Sequence, residues 1–165
     1  MAEPSKPTIV TSLLEAFGLT WDMYEEAIRS IPYGHWRTGD IDYLIPARLV
    51  YHVLETADFY SSEKPEGFSW GKRFNADPWD ALPEQLPTKD EASEYHREVK
   101  DKIRTWLGGL DDSGMLSQET AFPWTGSTFL GRVLYLLVHY RQHLGEINAE
   151  LRRRGLPRIE WRTFG

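Results

Sequence analysis

The stretch from Ser127 to Gly155, STFLGRVLYLLVHYRQHLGEINAELRRRG, decides the fold class. Its apolar residues recur at intervals of three and four, which is the period of an amphipathic α-helix. Ser127 and Thr128 are typical helix N-caps, and a glycine after three arginines is typical of a helix C-terminus. We therefore predict one long helix with a single buried face, formed by Leu130, Val133, Leu137, Tyr140, Leu144, Ile147 and Leu151.

Two earlier stretches have the same period, and no stretch of comparable length alternates as a strand would. The first is expected to begin at a capping box formed by Ser12 and Glu15 and to stop before Pro32. The second opens at Ile45-Pro46, where proline suits the first turn, and runs towards Tyr60. Both helices are expected to bury one face.

A third earlier helix begins at the capping box of Thr88 and Glu91 and ends at Gly108-Gly109. With the helix from residue 127, this makes four helices and a long connection between the second and the third. Such a connection suits a crossover between parallel helices. The sequence therefore predicts an all-α fold, a four-helix bundle with a long crossover, as a single domain over residues 1–165.

The connection at residues 63–87 is rich in aromatic residues. Buried tryptophans in long connections usually contribute to packing, so these side chains are expected to cover one end of the bundle. The alternative is a functional lid, because long loops in compact domains are often functional. The aromatic residues concerned are Phe68, Trp70, Phe74 and Trp79.

Composition excludes several classes of protein. A net charge of -6 repels a phosphate backbone, so no nucleic-acid partner is expected. The chain has no cysteine, which excludes disulfides, thiolate metal sites and a cysteine nucleophile. Its first residues, MAEPSKPT, lack the apolar run of a signal peptide, and no apolar stretch is long enough to span a bilayer. We expect a cytoplasmic protein without a membrane partner.

Three histidines form a candidate site. His139 and His143 stand four residues apart, which places their Cβ atoms about 5–6 Å apart on one helix face, so that their rings can share one ion. A helical wheel puts this pair at the edge of the apolar face, and it puts His52 at the corresponding edge of the second helix. The two edges can face each other, which would bring three imidazoles together.

Three neutral imidazoles are ligands suited to zinc, nickel, iron or copper, and three protein ligands leave a coordination position for water or substrate. Helical histidine pairs also arise at solvated surfaces, and buried histidines are commonly satisfied by ordinary hydrogen bonds. The spacing by itself leaves both interpretations open.

The stretch from His139 to Ile147, HYRQHLGEI, resembles the fourth-helix signature of the DinB/YfiT superfamily, approximately HxxxHRGQ. The stretch from Ile45 to Tyr60, IPARLVYHVLETADFY, is similar to the superfamily's second helix, in which a histidine is followed by an acidic and aromatic run. The helix count and the long connection also fit, so the resemblance covers nearly the whole chain. The sequence departs at Leu144 and Glu146, where the superfamily commonly has Arg and Gln.

This resemblance implies a bundle, often homodimeric, in which His52, His139 and His143 bind one divalent metal ion. Zinc or nickel is expected, with iron or manganese as further candidates. The resemblance also implies a hydrolase or a low-molecular-weight-thiol S-transferase acting on a small-molecule substrate. Because the chain lacks cysteine, any thiol would come from a cosubstrate. The alternative is a non-catalytic, stress-associated bundle that binds a metal or a small ligand.

Glu146 is a candidate catalytic residue, because it lies seven residues after His139 and therefore on nearly the same side of the helix. It is expected to act as a general base or to orient an imidazole. The alternative is a solvated ion pair with Arg141 or Arg153.

Four other residues complete the candidates. Wheel position makes Arg48 and Arg132 candidates for receiving an anionic substrate group. His35 lies in a polar turn and His96 beside the apolar stripe of the third helix, so neither is expected to be a ligand.

Overall fold

The computed structural model describes residues 8–165, so the expectation for the first seven residues lies outside it. Within this range the chain forms six α-helices, three short 3-10 helices and no strand. The prediction of an all-α fold is confirmed. The α-helices are α1 (Ile9–Ser30), α2 (Tyr33–Trp36), α3 (Pro46–Tyr60), α4 (Lys89–Gly108), α5 (Asp112–Met115) and α6 (Phe129–Arg153).

The start of α1 differs from the prediction. Its N-cap is Thr8, whose Oγ1 accepts the N–H of Thr11 at 3.1 Å, while Oγ1 of Thr11 accepts the N–H of Thr8 at 2.8 Å. The predicted capping box of Ser12 and Glu15 is wrong. A threonine hydroxyl at Thr11 fills the position for which the sequence pattern requires a Glu or Gln side chain.

The other three long helices begin where predicted. Pro46 is the first residue of α3, Thr88 caps α4 in a capping box with Glu91, and Thr128 caps α6. After α6, Gly155 has a φ of 69°, a left-handed conformation that glycine adopts without strain. The short helices α2 and α5 were not predicted, because four residues are too few to show a helical period.

The four long helices pack around one core. Contacts join α1 to α4, α4 to α3, α3 to α6 and α6 to α1, and the buried apolar side chains form a single cluster. Tyr24 fixes α1 against α6, since its hydroxyl donates to the carbonyl of Tyr140 at 2.7 Å. None of the described helices has the length and apolar character needed to cross a membrane.

Arg48 of α3 anchors the connection between α3 and α4. This side chain is 1% exposed, and its guanidinium donates to the carbonyl oxygens of Pro78 and Ala81, the latter at 2.9 Å. It also forms an ion pair with Asp42 at 3.0 Å. A buried guanidinium with this many partners holds the connection at one place on α3.

Two more side chains on the same face of α3 anchor the connection. The hydroxyl of Tyr51 donates to the carbonyl of Ala76 at 2.8 Å, and the N–H of Gly71 donates to Oε1 of Glu55 at 2.5 Å. Together with Arg48 they follow helical spacing along α3. The connection is therefore held along the length of this helix.

Candidate metal centre

The structure brings together the three histidines predicted from the sequence. Nε2 of His139 lies 3.0 Å from Nε2 of His52 and 3.1 Å from Nε2 of His143. The ligand atoms of the three rings all lie within 4.8 Å of one another. In a tetrahedral zinc site with metal–nitrogen bonds near 2.0–2.1 Å, ligand nitrogens are about 3.3 Å apart. The contacts of 3.0 and 3.1 Å are close to this spacing, so the three histidines could hold one metal ion.

Helix packing explains this convergence. His139 and His143 lie one turn apart on α6, and His52 lies on α3, which packs against α6. His52 and His139 are half-buried, and His143 is 8% exposed. The three rings are therefore largely, but not completely, shielded from solvent.

Hydrogen bonding alone does not satisfy the three rings. Nε2 of His139 faces two nitrogens, yet a neutral ring nitrogen carries either one proton or one lone pair. It can therefore form a good hydrogen bond with only one of its two neighbours. A cation at the centre would instead accept a lone pair from each ring.

Burial keeps two of the rings in the form that binds metal. Burial, with a smaller contribution from the nearby His143, lowers the pKa of His52 to about 4 and that of His139 to about 3. These two imidazoles are therefore neutral at pH 7, as metal ligation requires.

Glu146 contacts the opposite side of one ring. Its Oε2 lies 2.6 Å from Nδ1 of His143, so the carboxylate accepts the Nδ1–H and leaves a lone pair on Nε2, which faces the cluster. Among the described residues Glu146 forms no ion pair with Arg141 or Arg153, and Arg153 pairs instead with Glu150. An orienting carboxylate would make this contact, and the role of Glu146 stays a prediction.

Trp79 and Asp77 adjoin the cluster and were missed as site residues. The Trp79 ring lies 4.6 Å from the His52 ring, although 43% of this residue is exposed. The backbone N–H of Trp79 donates to Oδ1 of Asp77 at 2.9 Å, and the charge of Asp77 acts to raise the pKa of His52. The spacing of Asp77 and Trp79 is typical of an Asx turn, so the sequence could have predicted the turn but not its proximity to His52.

The two arginines proposed for substrate binding have structural partners instead. Arg132 forms an ion pair with Glu119 at 2.9 Å, with side chains that are only 3% and 2% exposed. Its guanidinium lies 4.2 Å from the ring centre of Phe129. Since Arg48 is likewise buried and bonded to the connection, the structure does not support an anion-binding role for either arginine.

The remaining histidines lie outside the cluster, as expected. His35 is exposed in α2. His96 is buried between α4 and α1, with Nε2 3.7 Å from Glu25.

Comparisons with family models, with curated proteins and with solved structures found no match to this chain. The geometry of the site therefore has to carry the functional assignment.

Proposed function

We propose that this protein is a metal-dependent enzyme in which His52, His139 and His143 bind one divalent ion. The observation that carries the proposal is the convergence of three Nε2 atoms, with contacts of 3.0 and 3.1 Å to His139. Zinc or nickel suits a set of three imidazoles, with iron or manganese as further candidates.

Three protein ligands leave room for a substrate atom or water. When bound, the ion would supply Lewis acidity and lower the pKa of a water or thiol ligand. The chain's contribution is to hold the rings neutral and to orient them. Glu146 fits the role of a positioning residue better than that of a general base, because its carboxylate lies at Nδ1 of His143, away from the Nε2 atoms.

The reaction we propose is hydrolysis or S-transfer of a low-molecular-weight thiol to a small-molecule substrate. The support is the resemblance of 139–147 and 45–60 to the DinB/YfiT superfamily, together with the coordination position that three protein ligands would leave open. Trp79 would form one apolar wall for the substrate, since its half-exposed ring adjoins His52.

We further propose that the fold is a four-helix bundle with a crossover between α3 and α4. The support is the closed series of contacts from α1 through α4, α3 and α6. A second copy of the chain is the proposed partner, and the apolar surface of α6 at Leu134 and Val138 is the face we assign to that homodimer, because these residues are 44% and 63% exposed.

One observation favours a second function, a non-catalytic metal sensor or binder. Glu146 is engaged with His143, and within residues 8–165 no carboxylate joins the three histidines to serve as a base at the ion. An enzyme would need a base from the substrate or from a more distant side chain.

The test starts from protein purified without chelator or affinity metal. Elemental analysis should find about one zinc or nickel ion per chain, as a three-histidine site predicts. The same sample is then assayed with ester and amide substrates and with thiol acceptors. Metal-dependent turnover supports the enzyme, bound metal without turnover supports the sensor, and the absence of any tightly bound divalent metal contradicts both.

A further inference from the structure

A cavity of about 540 Å³ is lined by residues of α3, α4 and the connection that joins them. None of the three clustered histidines lines it. Its volume is within the usual range for small-molecule sites, roughly 300–1,000 Å³. Its polar lining comes from both acidic and basic side chains, which raises the question of what they bind.

Glu55 is the most unusual of these side chains. The residue is 2% exposed, and Oε1 accepts the N–H of Gly71 at 2.5 Å. Oε2 is also buried, and no described residue gives it a hydrogen bond. Burial raises the pKa of this carboxyl to about 7. A buried acceptor without a donor is costly, so a cationic donor in the cavity would find a strong partner here.

Asp58 supplies a second carboxylate one turn further along α3. Its Oδ2 accepts the hydroxyl of Tyr95 at 3.0 Å, and its Oδ1 accepts Nζ of Lys102 at 2.5 Å. These two bonds fix the group while leaving acceptor capacity, because a carboxylate has about four lone-pair positions. Glu55 and Asp58 together form an acidic wall of the cavity.

Two cations line the same cavity, and they differ in what they already contact. Arg73 donates to both carboxylate oxygens of Glu98, at 2.6 and 2.8 Å, and lies over the ring of Tyr95. Lys72 takes part in none of the ion pairs formed by the described residues. Lys72 is therefore the cation available to a ligand.

We propose that this cavity binds an α-amino acid, with its ammonium group at Glu55 and Asp58 and its carboxylate at Lys72. Phe68, which also lines the cavity, would contact an apolar side chain of the ligand. A primary ammonium has three donors, enough for both carboxylates. The terminal torsion of a glutamate is broad, so rotation about it would let Oε2 meet the ligand. The site is separate from the three histidines, so the inference does not depend on the proposed function.

A metal ion fits this cavity less well than an ammonium group. Within the described part of the chain, the three histidines form the one group of three or more metal-ligating side chains that converges. Glu55 and Asp58 are only two carboxylates, and one of them is already paired with Lys102. Hard divalent cations require more oxygen ligands than these two residues supply.

Calorimetry on the full chain with three matched probes tests the proposal. The probes are L-phenylalanine, phenethylamine, which lacks the carboxylate, and 3-phenylpropionate, which lacks the ammonium. Loss of one charge-assisted contact should weaken binding about ten-fold or more relative to L-phenylalanine. Equal affinity for all three probes would overturn the proposal. L-alanine serves as a smaller amino acid, and the absence of binding by both L-phenylalanine and L-alanine at about 10 mM would also overturn it.

Matched variants assign each contact. Glu55→Gln keeps an acceptor for Gly71, and it should weaken L-phenylalanine and phenethylamine about ten-fold while leaving 3-phenylpropionate unchanged. Lys72→Ala should weaken only the two probes that carry a carboxylate. Lys64→Ala, an exposed lysine on the same connection, is the control and should change nothing. Binding should persist in His139→Ala, and unchanged binding in Glu55→Gln would refute the site.

Discussion

Oε2 of Glu146 lies 2.6 Å from Nδ1 of His143, while Nε2 of the same ring lies 3.1 Å from His139. The imidazole thus connects a carboxylate on one side to the nitrogen cluster on the other. A carboxylate in this position fixes the tautomer and makes the opposite nitrogen a better ligand.

Substituting Glu146 by Gln should weaken metal binding without abolishing it. The amide oxygen still accepts the Nδ1–H but carries no charge, so affinity should fall about ten-fold, with a saturated stoichiometry near one. A competition assay with a chromophoric chelator measures both quantities. Glu66→Gln, an exposed residue on the connection, is the control. A metal affinity equal to that of the wild type would show that the charge of Glu146 does not orient His143 for metal binding.

Removing a histidine should have a larger effect. His139→Ala and His143→Ala should each reduce metal content to near zero while circular dichroism stays helical, because apolar packing rather than the ion stabilises the helices. His35→Ala controls for the loss of an exposed histidine. Full metal content in both variants would contradict the proposed site, whereas unfolding of the wild type by a chelator would show that the metal is structural.

Arg48→Met should loosen the connection between α3 and α4. The variant leaves the buried carbonyls of Pro78 and Ala81 without a donor, so we expect a loss of about 2–4 kcal/mol in the free energy of unfolding. Urea denaturation measures this loss. Hydrogen exchange should increase within residues 76–82. Arg158→Met, at an exposed position, should cost much less. Unchanged exchange in 76–82 would show that other contacts hold this segment.

His96 should make the protein sensitive to acid. Burial lowers its pKa from 6.5 to about 4, so above pH 6.5 the ring is neutral in both the folded and the unfolded state. Between pH 6.5 and 4 mainly the unfolded state gains the proton, and stability is lost by up to roughly 1.4 kcal/mol per pH unit. In His96→Gln the free energy of unfolding should fall less steeply over this range. An identical pH slope in wild type and variant would contradict the assignment, and His35→Gln is the control.

The apolar face of α6 should control association. If a second copy packs there, the double variant Leu134→Glu and Val138→Glu should shift dimer to monomer in sedimentation experiments, because paired charges are costly in an apolar interface. Leu116 is an apolar residue outside α6 that is 58% exposed, and Leu116→Glu should leave the dimer intact. A monomeric wild type at high concentration would contradict the proposed homodimer.

The long helices and the pair of His139 and His143 could be predicted from the sequence because each depends on local spacing. Pro46, Thr88 and Thr128 mark helix starts by their own chemistry, and the interval from His139 to His143 fixes two rings on one face. The proximity of His52 to these two rings was predicted from its position at the edge of the apolar face of α3, which can face the corresponding edge of α6. Helical periodicity was therefore the most informative pattern, because it indicated both the helices and the faces that carry the histidines.

Contacts between irregular segments could not be predicted in the same way. A helical wheel shows which face of α3 carries Arg48. It contains no information about the carbonyl groups of Pro78 and Ala81, which lie against that face. Trp79 adjoins His52 for the same reason, because the path of the connection determines its position. The capping role of Thr11 shows that even a local motif can use a side chain outside its usual pattern.

The anchors of the connection have a consequence for how this surface can change over evolution or in the laboratory. Arg48 and Tyr51 bond to main-chain carbonyls of the connection, at Pro78, Ala81 and Ala76. These bonds do not depend on which side chains the connection carries. Residues such as Trp79, whose ring adjoins His52, can therefore be exchanged while the segment keeps its place on α3, so the side chains beside the histidines can vary without rebuilding the scaffold.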